Sequence, residues 1–372
     1  MRIGIDGREL LGNRTGVGRY LAELCAEWLS SPGANQHEFV IYTALPENET
    51  TGLGPPFLDG VTGPFRHRSV PGRAGTAWEQ LALPVAAARD ELDVFFAPAY
   101  SAPIRLRTPV VVTMHDVSFI AHPEWFPWRE GIRRRGLARR SMARADAIIA
   151  VSAFTRDEVQ QFFSIPSDRI HVVRSGIRPR PSAPQSESRD PLVLYVGSIF
   201  NRRNLPTLIR AFAKVRDVAS GLRLAVAGDD RTYPKEDLPS LLEATGTASA
   251  VELRSYVSES ELDALYGRAR VFAFLSEYEG FGLTPLEAMA AGVPVVVADT
   301  PVARELYGDA AVFVPIRDIQ ATAAALRSLL QDDTAWATQR DRGARLVPTF
   351  DWARAASETL DVLESAGGSQ GR

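Results

Sequence analysis

The chain has 372 residues, 45% of them hydrophobic and 23% charged, with a formal net charge of -3. That length exceeds what one hydrophobic core supports, so two domains are expected, and the balance of charge argues against general nucleic-acid binding. The single cysteine, Cys25, lies among apolar neighbours; no internal disulfide or cysteine metal cluster is possible, and the cytoplasm is the expected compartment. Met1 runs straight into a strand-like stretch without the features of a signal peptide, and no apolar run approaches the roughly 20 residues that span a bilayer.

In chain order, a strand over 3–6 leads into Gly12-Asn13-Arg14-Thr15-Gly16-Val17-Gly18-Arg19-Tyr20 and a helix. As a dinucleotide fingerprint this is weak, because Leu21 stands where a third glycine belongs and no acid ends the second strand. An ordinary helix-entry turn is the plainer reading. Strands follow at 39–43, 94–97, 110–115, 147–151 and 171–174, apolar almost throughout, as parallel strands buried on both faces are. The strand at 110–115 ends on His115-Asp116, where Asp116 either orients the histidine or caps the next element. From Pro123 to Arg144, arginines stand beside Trp125, Phe126 and Trp128. Such a stretch from Arg129 to Arg144 fits contact with anionic headgroups and fits a solvated helix face equally well.

The Pro/Ser/charge mixture that begins at Arg178 reads as a linker over 179–191 between a first domain, residues 1–178, and a second, residues 192–350. Strands recur at 192–197, 222–227, 251–253, 271–275, 293–298 and 311–314. Two Rossmann-like, doubly wound parallel-sheet α/β domains are predicted, with ligands beyond the carboxyl ends of the strands, in a cleft between the domains. Residues 351–366 carry apolar positions at helical spacing and are expected to pack back on the first domain, with a disordered tail over 367–372.

Two segments carry chemistry. The first is Gly197-Ser198-Ile199-Phe200-Asn201-Arg202-Arg203-Asn204, a strand-end glycine followed by basic residues at a helix start, which suits a diphosphate. Either arginine alternatively reads as a solvated surface charge. The second runs Glu279-Gly280-Phe281-Gly282-Leu283-Thr284-Pro285-Leu286-Glu287. It leaves a strand, turns on two glycines and enters a helix with proline in its first turn, so free amides and the helix dipole form an anion site that the backbone can approach closely. Thr284 is either the N-cap or a phosphate ligand. Glu279 and Glu287 bracket the turn and can accept hydrogen bonds from sugar hydroxyls; the plainer role for Glu287 is to complement the helix N-terminus.

The second segment resembles glycosyltransferase family 4, whose hallmark is E-x7-E within E-G-F-G-L-x-x-L-E-A-M-A-x-G-x-P-V, and the first segment resembles the same family's Y-V-G-S-x-x-x-R-K-N-L. Arg203 stands where the lysine usually does, and Ser198 where many members have arginine. The resemblance implies the GT-B fold, transfer of a hexose from a nucleoside-diphosphate sugar with retention at the anomeric carbon, and a saccharide or lipid-linked saccharide acceptor. It implies that Glu279 contacts the donor sugar, that Phe281, Gly282 and Leu283 bind sugar and phosphates through their amides, and that Glu287 holds the ribose. It implies further that His115 contacts the transferred sugar as a hydrogen-bond donor, and that Gly16 and Gly18 reach the phosphates and acceptor. Asp-x-Asp is absent from the sequence, so neither metal nor other cofactor is expected. The sequence around Tyr195 and His115 is most similar to bacterial O-antigen and polysaccharide mannosyltransferases, which suggests GDP-mannose; UDP-glucose, UDP-N-acetylglucosamine and dTDP-rhamnose remain alternatives, and a nucleotide-sugar epimerase is a further one.

Overall fold

A computed structural model describes residues 1–11, 16–44, 63–179, 189–255 and 257–368. The start of the glycine-rich stretch, Gly12 to Thr15, and most of the expected linker lie outside the described residues. The chain divides into two compact units. One comprises Met1–Ala121, Arg129–Gly176 and the chain from Asp351; the other comprises His122–Trp128 and Ile177–Phe350.

The first unit is built on a parallel sheet of seven strands: β1 (Arg2–Asp6), β2 (Glu38–Thr43), β3 (Phe65–Ser69), β4 (Val94–Ala97), β5 (Val110–Met114), β6 (Ala147–Ala150) and β7 (Ile170–Val172), in the order β3-β2-β1-β4-β5-β6-β7. The inner strands are buried on both faces, which is why they read as continuous apolar runs. β3 was not expected. Its sequence Phe-Arg-His-Arg-Ser alternates because it is an edge strand, paired among the described residues only with β2 and exposed on its arginines. The helix Gly16–Ser30 buries Tyr20, Leu21, Leu24, Cys25 and Trp28, and Trp28 donates its indole N–H to the Ala356 carbonyl at 3.0 Å. Ala356 belongs to the C-terminal helix Trp352–Gly368, whose apolar face joins the same core. This helix includes Gly367 and Gly368, which were expected in the disordered tail. Gly367 approaches Met1 and Val94 so closely that a Cβ would collide with Met1, so packing rather than intrinsic propensity extends the helix.

The strand order of the first sheet reverses between β1 and β4. There Asp6 and Glu79, both buried, share one arginine: Arg8 Nη2 lies 2.7 Å from Asp6 Oδ2 and 2.7 Å from Glu79 Oε1. Ser101 Oγ also donates to Glu79 Oε1, at 2.6 Å. Burial pushes the Asp6 carboxyl up from its ordinary 3.8 to about 6, against the pull of Arg8 and with the push of Glu79. The folded state therefore holds this proton more tightly than the unfolded chain does. The associated stability is fully present below pH 3.8 and is lost as pH rises through about 6. Replacing Asp6→Asn is predicted to flatten the urea-unfolding free energy between pH 4 and 6 by about 3 kcal/mol; an unchanged slope would remove Asp6 as its source.

The second unit has six parallel strands, β8 (Asp190–Val196), β9 (Arg223–Ala227), β10 (Val251–Arg254), β11 (Ala269–Phe274), β12 (Val295–Ala298) and β13 (Ala311–Val314), in the order β10-β9-β8-β11-β12-β13. All six lie where the sequence predicts strands. The order reverses between β8 and β11, and the carboxyl ends at such a switch point are where open α/β sheets bind ligands.

Candidate active site

Both chemistry-bearing segments of the second unit emerge at this switch point. β8 ends into Gly197, whose φ of +130° favours glycine, and a Cβ there would lie 2.5 Å from Arg203 Nη1. The missing side chain makes room for the guanidinium. Arg203 ends a single turn, Asn201–Arg203, and points back across the strand ends. Its Nε donates to Glu279 Oε1 at 2.9 Å and its Nη1 to the Ser198 carbonyl at 2.8 Å. The Tyr195 hydroxyl donates to that same carbonyl at 3.2 Å, so Ser198 contributes through its backbone. Ser276 Oγ, at 3.0 Å, supplies a second hydrogen bond to Glu279 Oε1.

Burial by itself would raise the Glu279 carboxyl, but the charges of Arg203 and Arg202, with the hydrogen bonds from Arg203 and Ser276, hold it below the usual carboxylate range. For Arg203, burial works against the charge while Glu279 and Tyr195 more than offset it, so it stays protonated. The pair is thus an ionised one in a largely desolvated place. The side chains of Arg203 and Glu279 are 15% and 16% exposed.

The turn after Glu279 folds as a helix entry. Gly280 and Phe281 are buried, and Gly282 has a φ of +98°. Gly282 is the N-cap of the helix Leu283–Ala290, and no side chain caps it. The first-turn amides at Leu283 and Thr284 therefore lack a capping side chain, the arrangement an anion fits. Thr284 lies inside the helix, so its expected alternative role as N-cap is corrected: a glycine holds that position because the chain turns there at positive φ. Tyr307 Oη donates to the Gly282 carbonyl at 2.9 Å and steadies the turn, a contact the sequence did not reveal. Glu287, one turn further along, is buried and accepts from the Tyr266 hydroxyl at 3.2 Å.

Arg202 and Asn204 flank Arg203 with different fates. Arg202 lies over Phe200, 4.5 Å from its ring centroid. Asn204 is buried at φ +50°, donating to the Leu275 and Arg202 carbonyls at 3.1 and 3.2 Å and accepting from Arg317 Nε at 3.2 Å. Its carboxamide is committed to the protein at both ends, so it braces the loop where donor contact was expected. Arg317 also reaches Glu277, at 2.9 Å. Sequence offers little signal for Arg317, because its partners Asn204 and Glu277 stand 113 and 40 positions away in the chain.

In the first unit, His115 follows β5 and lies edge-on to Tyr20, with ring centroids 4.9 Å apart. Its Nε2 is 2.7 Å from the Pro98 carbonyl, which can only accept, so Nε2 carries the hydrogen. Burial lowers the histidine's pKa against the opposing effects of Pro98 and Asp116. Neutral His115 therefore offers a lone pair at Nδ1, an acceptor for a hydroxyl, where a donor was expected. Asp116 caps the following turn, accepting from Ser118 N at 2.9 Å and Ser118 Oγ at 2.7 Å. Gly16 is exposed and opens its helix, with space around it for a Cβ, and Gly18 is buried within the first turn. Among the described residues, no group of three or more His, Cys, Asp or Glu side chains is placed to hold a metal ion.

Comparison with known proteins bears on the family and the fold. The profile of the glycosyl transferases group 1 matches residues 179–345, and that of Glycosyltransferase Family 4 matches residues 14–180. The chain belongs to the family 4, group 1 glycosyltransferases. It is 29% identical to O-antigen chain mannosyltransferase B of Escherichia coli over 75% of this chain and 76% of that one. It is 31% identical to a glycogen synthase of Mycobacterium tuberculosis over 69% of this chain but 63% of that one, less than two thirds of its length. Among solved structures, sucrose-phosphate synthase from Thermosynechococcus elongatus superposes with a TM-score of 0.78 at 18% identity, covering 99% of this chain and 100% of that one. The fold is GT-B.

The ion pair makes a specific demand. Removing one partner of a buried pair strands the other, at a cost of about 3 to 5 kcal/mol. Arg203→Ala is predicted to lose stability in that range in urea unfolding, and Arg203→Ala combined with Glu279→Gln to recover most of it. Additive losses would show that the two side chains are not coupled.

Proposed function

We propose that the protein transfers a hexose, with retention of configuration, from a nucleoside-diphosphate sugar to a hydroxyl of a saccharide or lipid-linked saccharide, and that mannose from GDP-mannose is the donor. The observation that carries the proposal is the buried Arg203–Glu279 pair beside an uncapped helix start at a switch point. One partner suits a diphosphate, the other suits sugar hydroxyls, and the amides supply further donors. The mannosyltransferase relative favours mannose, whereas the glycogen synthase relative keeps the glucosyl donors in play.

In this mechanism the bond from the anomeric carbon to the nucleoside diphosphate breaks as the acceptor hydroxyl oxygen bonds that carbon on the same face, through an oxocarbenium-like transition state, and the hydroxyl proton passes to the departing phosphate oxygen. Negative charge grows on the diphosphate. Arg203, Arg202 and the amides of Leu283 and Thr284 stabilise it, each placed donor contributing about 3 to 4 kcal/mol. Glu279 accepts from the transferred hexose, Glu287 from the ribose, and His115 Nδ1 from a sugar hydroxyl. Gly16 and Gly18 are proposed to bind the donor, as the resemblance implies. The positive side chains compensate the diphosphate, so the proposal includes no metal or other cofactor. It is tested by thermal shift with GDP-mannose, UDP-glucose, UDP-N-acetylglucosamine and dTDP-rhamnose, followed by transfer in excess EDTA with the product anomer read by NMR. Stabilisation by GDP-mannose and an α-linked product in EDTA are expected; inversion, or loss restored by manganese, would contradict the mechanism.

A peripheral membrane contact belongs to the same proposal. Among the described residues no helix is long and apolar enough to cross a membrane. The helix Trp128–Arg144 nevertheless exposes Trp128 and Ile132, at 68% and 53%, among arginines. Arg133 of that helix donates to Thr76, just before the helical stretch from Trp78 to Ala87 that carries exposed Leu81 and Val85. Apolar side chains ringed by arginine suit an anionic bilayer surface. Sedimentation with vesicles containing anionic lipid, but not with neutral ones, is the expected result, and Ile132→Glu with Leu81→Glu should abolish it; equal binding to both vesicle types would count against the assignment.

A further inference from the structure

Residues 122–128 pack with the second unit although the chain on either side of them belongs to the first. Within this segment the rings of His122 and Trp125 stack, with centroids 3.9 Å apart and planes 13° from parallel. Tyr278, which directly precedes Glu279, meets both rings edge-on, at 5.1 and 5.9 Å. Trp125 also faces Arg202, whose guanidinium carbon lies 5.8 Å from the indole centroid. The segment therefore touches both chemistry-bearing loops.

The state of Arg202 gives this contact its meaning. Arg203 is committed to Glu279, but Arg202 makes no ion pair with a carboxylate among the described residues, and its buried Nε has no hydrogen-bond partner. Ring faces hold it instead, Phe200 at 4.5 Å and Trp125 at 5.8 Å. Aromatic faces attract a guanidinium through their quadrupole without consuming its N–H groups, so the fork stays available to an acceptor. A partly desolvated N–H without a partner is unfavourable, and an incoming anionic oxygen relieves it.

Resting on the proposed transfer from a nucleoside-diphosphate sugar, we propose that Trp125 is a positioning residue: its ring, backed by His122, keeps the Arg202 guanidinium beside Phe200 with its N–H groups presented to the leaving diphosphate. Arg202 then supplies the cation that Arg203, shared with Glu279, supplies only in part. Trp125 itself does not touch the donor.

The test is a double-mutant cycle with Trp125→Ala, Arg202→Ala and the pair, plus Trp125→Phe and Trp125→Leu, measured with the donor that the wild type turns over. Trp125→Ala is expected to lower kcat about tenfold with little change in acceptor KM. Phenylalanine should restore most of the loss, leucine should not, and Trp125→Ala should add nothing once Arg202 is alanine. Equal losses in both backgrounds, or rescue by leucine, overturn the proposal, because a ring that served packing alone would act without Arg202 and be replaced by any apolar volume. An independent readout needs no donor: the Arg202 Nε–H resonance should lie upfield through ring currents in the wild type and move downfield in Trp125→Ala. An unshifted resonance refutes the positioning geometry. A shifted one in a protein inert toward every nucleotide sugar refutes the transfer on which the proposal rests.

Discussion

The buried ion pair between Arg203 and Glu279 is the interaction on which the second unit's site depends. Two ionised groups are kept there only because each is satisfied: Glu279 by Arg203 and Ser276, Arg203 by Glu279 and the Ser198 carbonyl. Gly197 exists as glycine so that the guanidinium can pass, and Gly282 so that the turn can close into an uncapped helix. On the proposed reading, a diphosphate sugar that enters here replaces what each partner loses: phosphate oxygens replace the carboxylate for Arg203, and sugar hydroxyls replace the guanidinium for Glu279, so that a nucleoside diphosphate without its sugar satisfies only the first exchange.

The two units use the same architectural position with opposite charge. At the switch point of the first sheet, Asp6 and Glu79 share Arg8, leaving an excess of acid. At that of the second, Arg202 and Arg203 face Glu279, leaving an excess of base. Only the second suits an anion. The first instead raises the Asp6 carboxyl, and through Arg8 it ties the end of β1 to the helix Trp78–Ala82 at Glu79, which also accepts from Ser101.

Much of this was legible in the sequence because burial and backbone geometry leave simple marks. The inner strands, buried on both faces, read as apolar runs, and twelve of the thirteen strands among the described residues lie where strands were expected. β3 escaped because an edge strand alternates. In the site, glycines at positive φ and a proline in the first helical turn marked the turn's path, while Arg203 was marked by its place after a strand-end glycine. What was not legible depends on distant partners. Asn204 looked like a ligand until both ends of its carboxamide were found engaged by Leu275 and Arg317. Tyr307 carries no motif, and Trp125 stood out in the sequence only within the aromatic, arginine-rich stretch; the fold brings the one to the turn and the other to Arg202. The hydrogen on His115 Nε2 is fixed by a carbonyl seventeen residues away.

The most direct measurement is calorimetric titration of GDP-mannose and of GDP into the wild type and into Glu279→Gln. If Glu279 receives the sugar while Arg203 receives the diphosphate, the substitution weakens GDP-mannose about tenfold or more, because a charge-assisted acceptor is lost. GDP should bind the variant at least as well as the wild type, since Arg203 is released from its carboxylate. Equal weakening of both ligands, or no change in either, would contradict the division of labour between the two side chains.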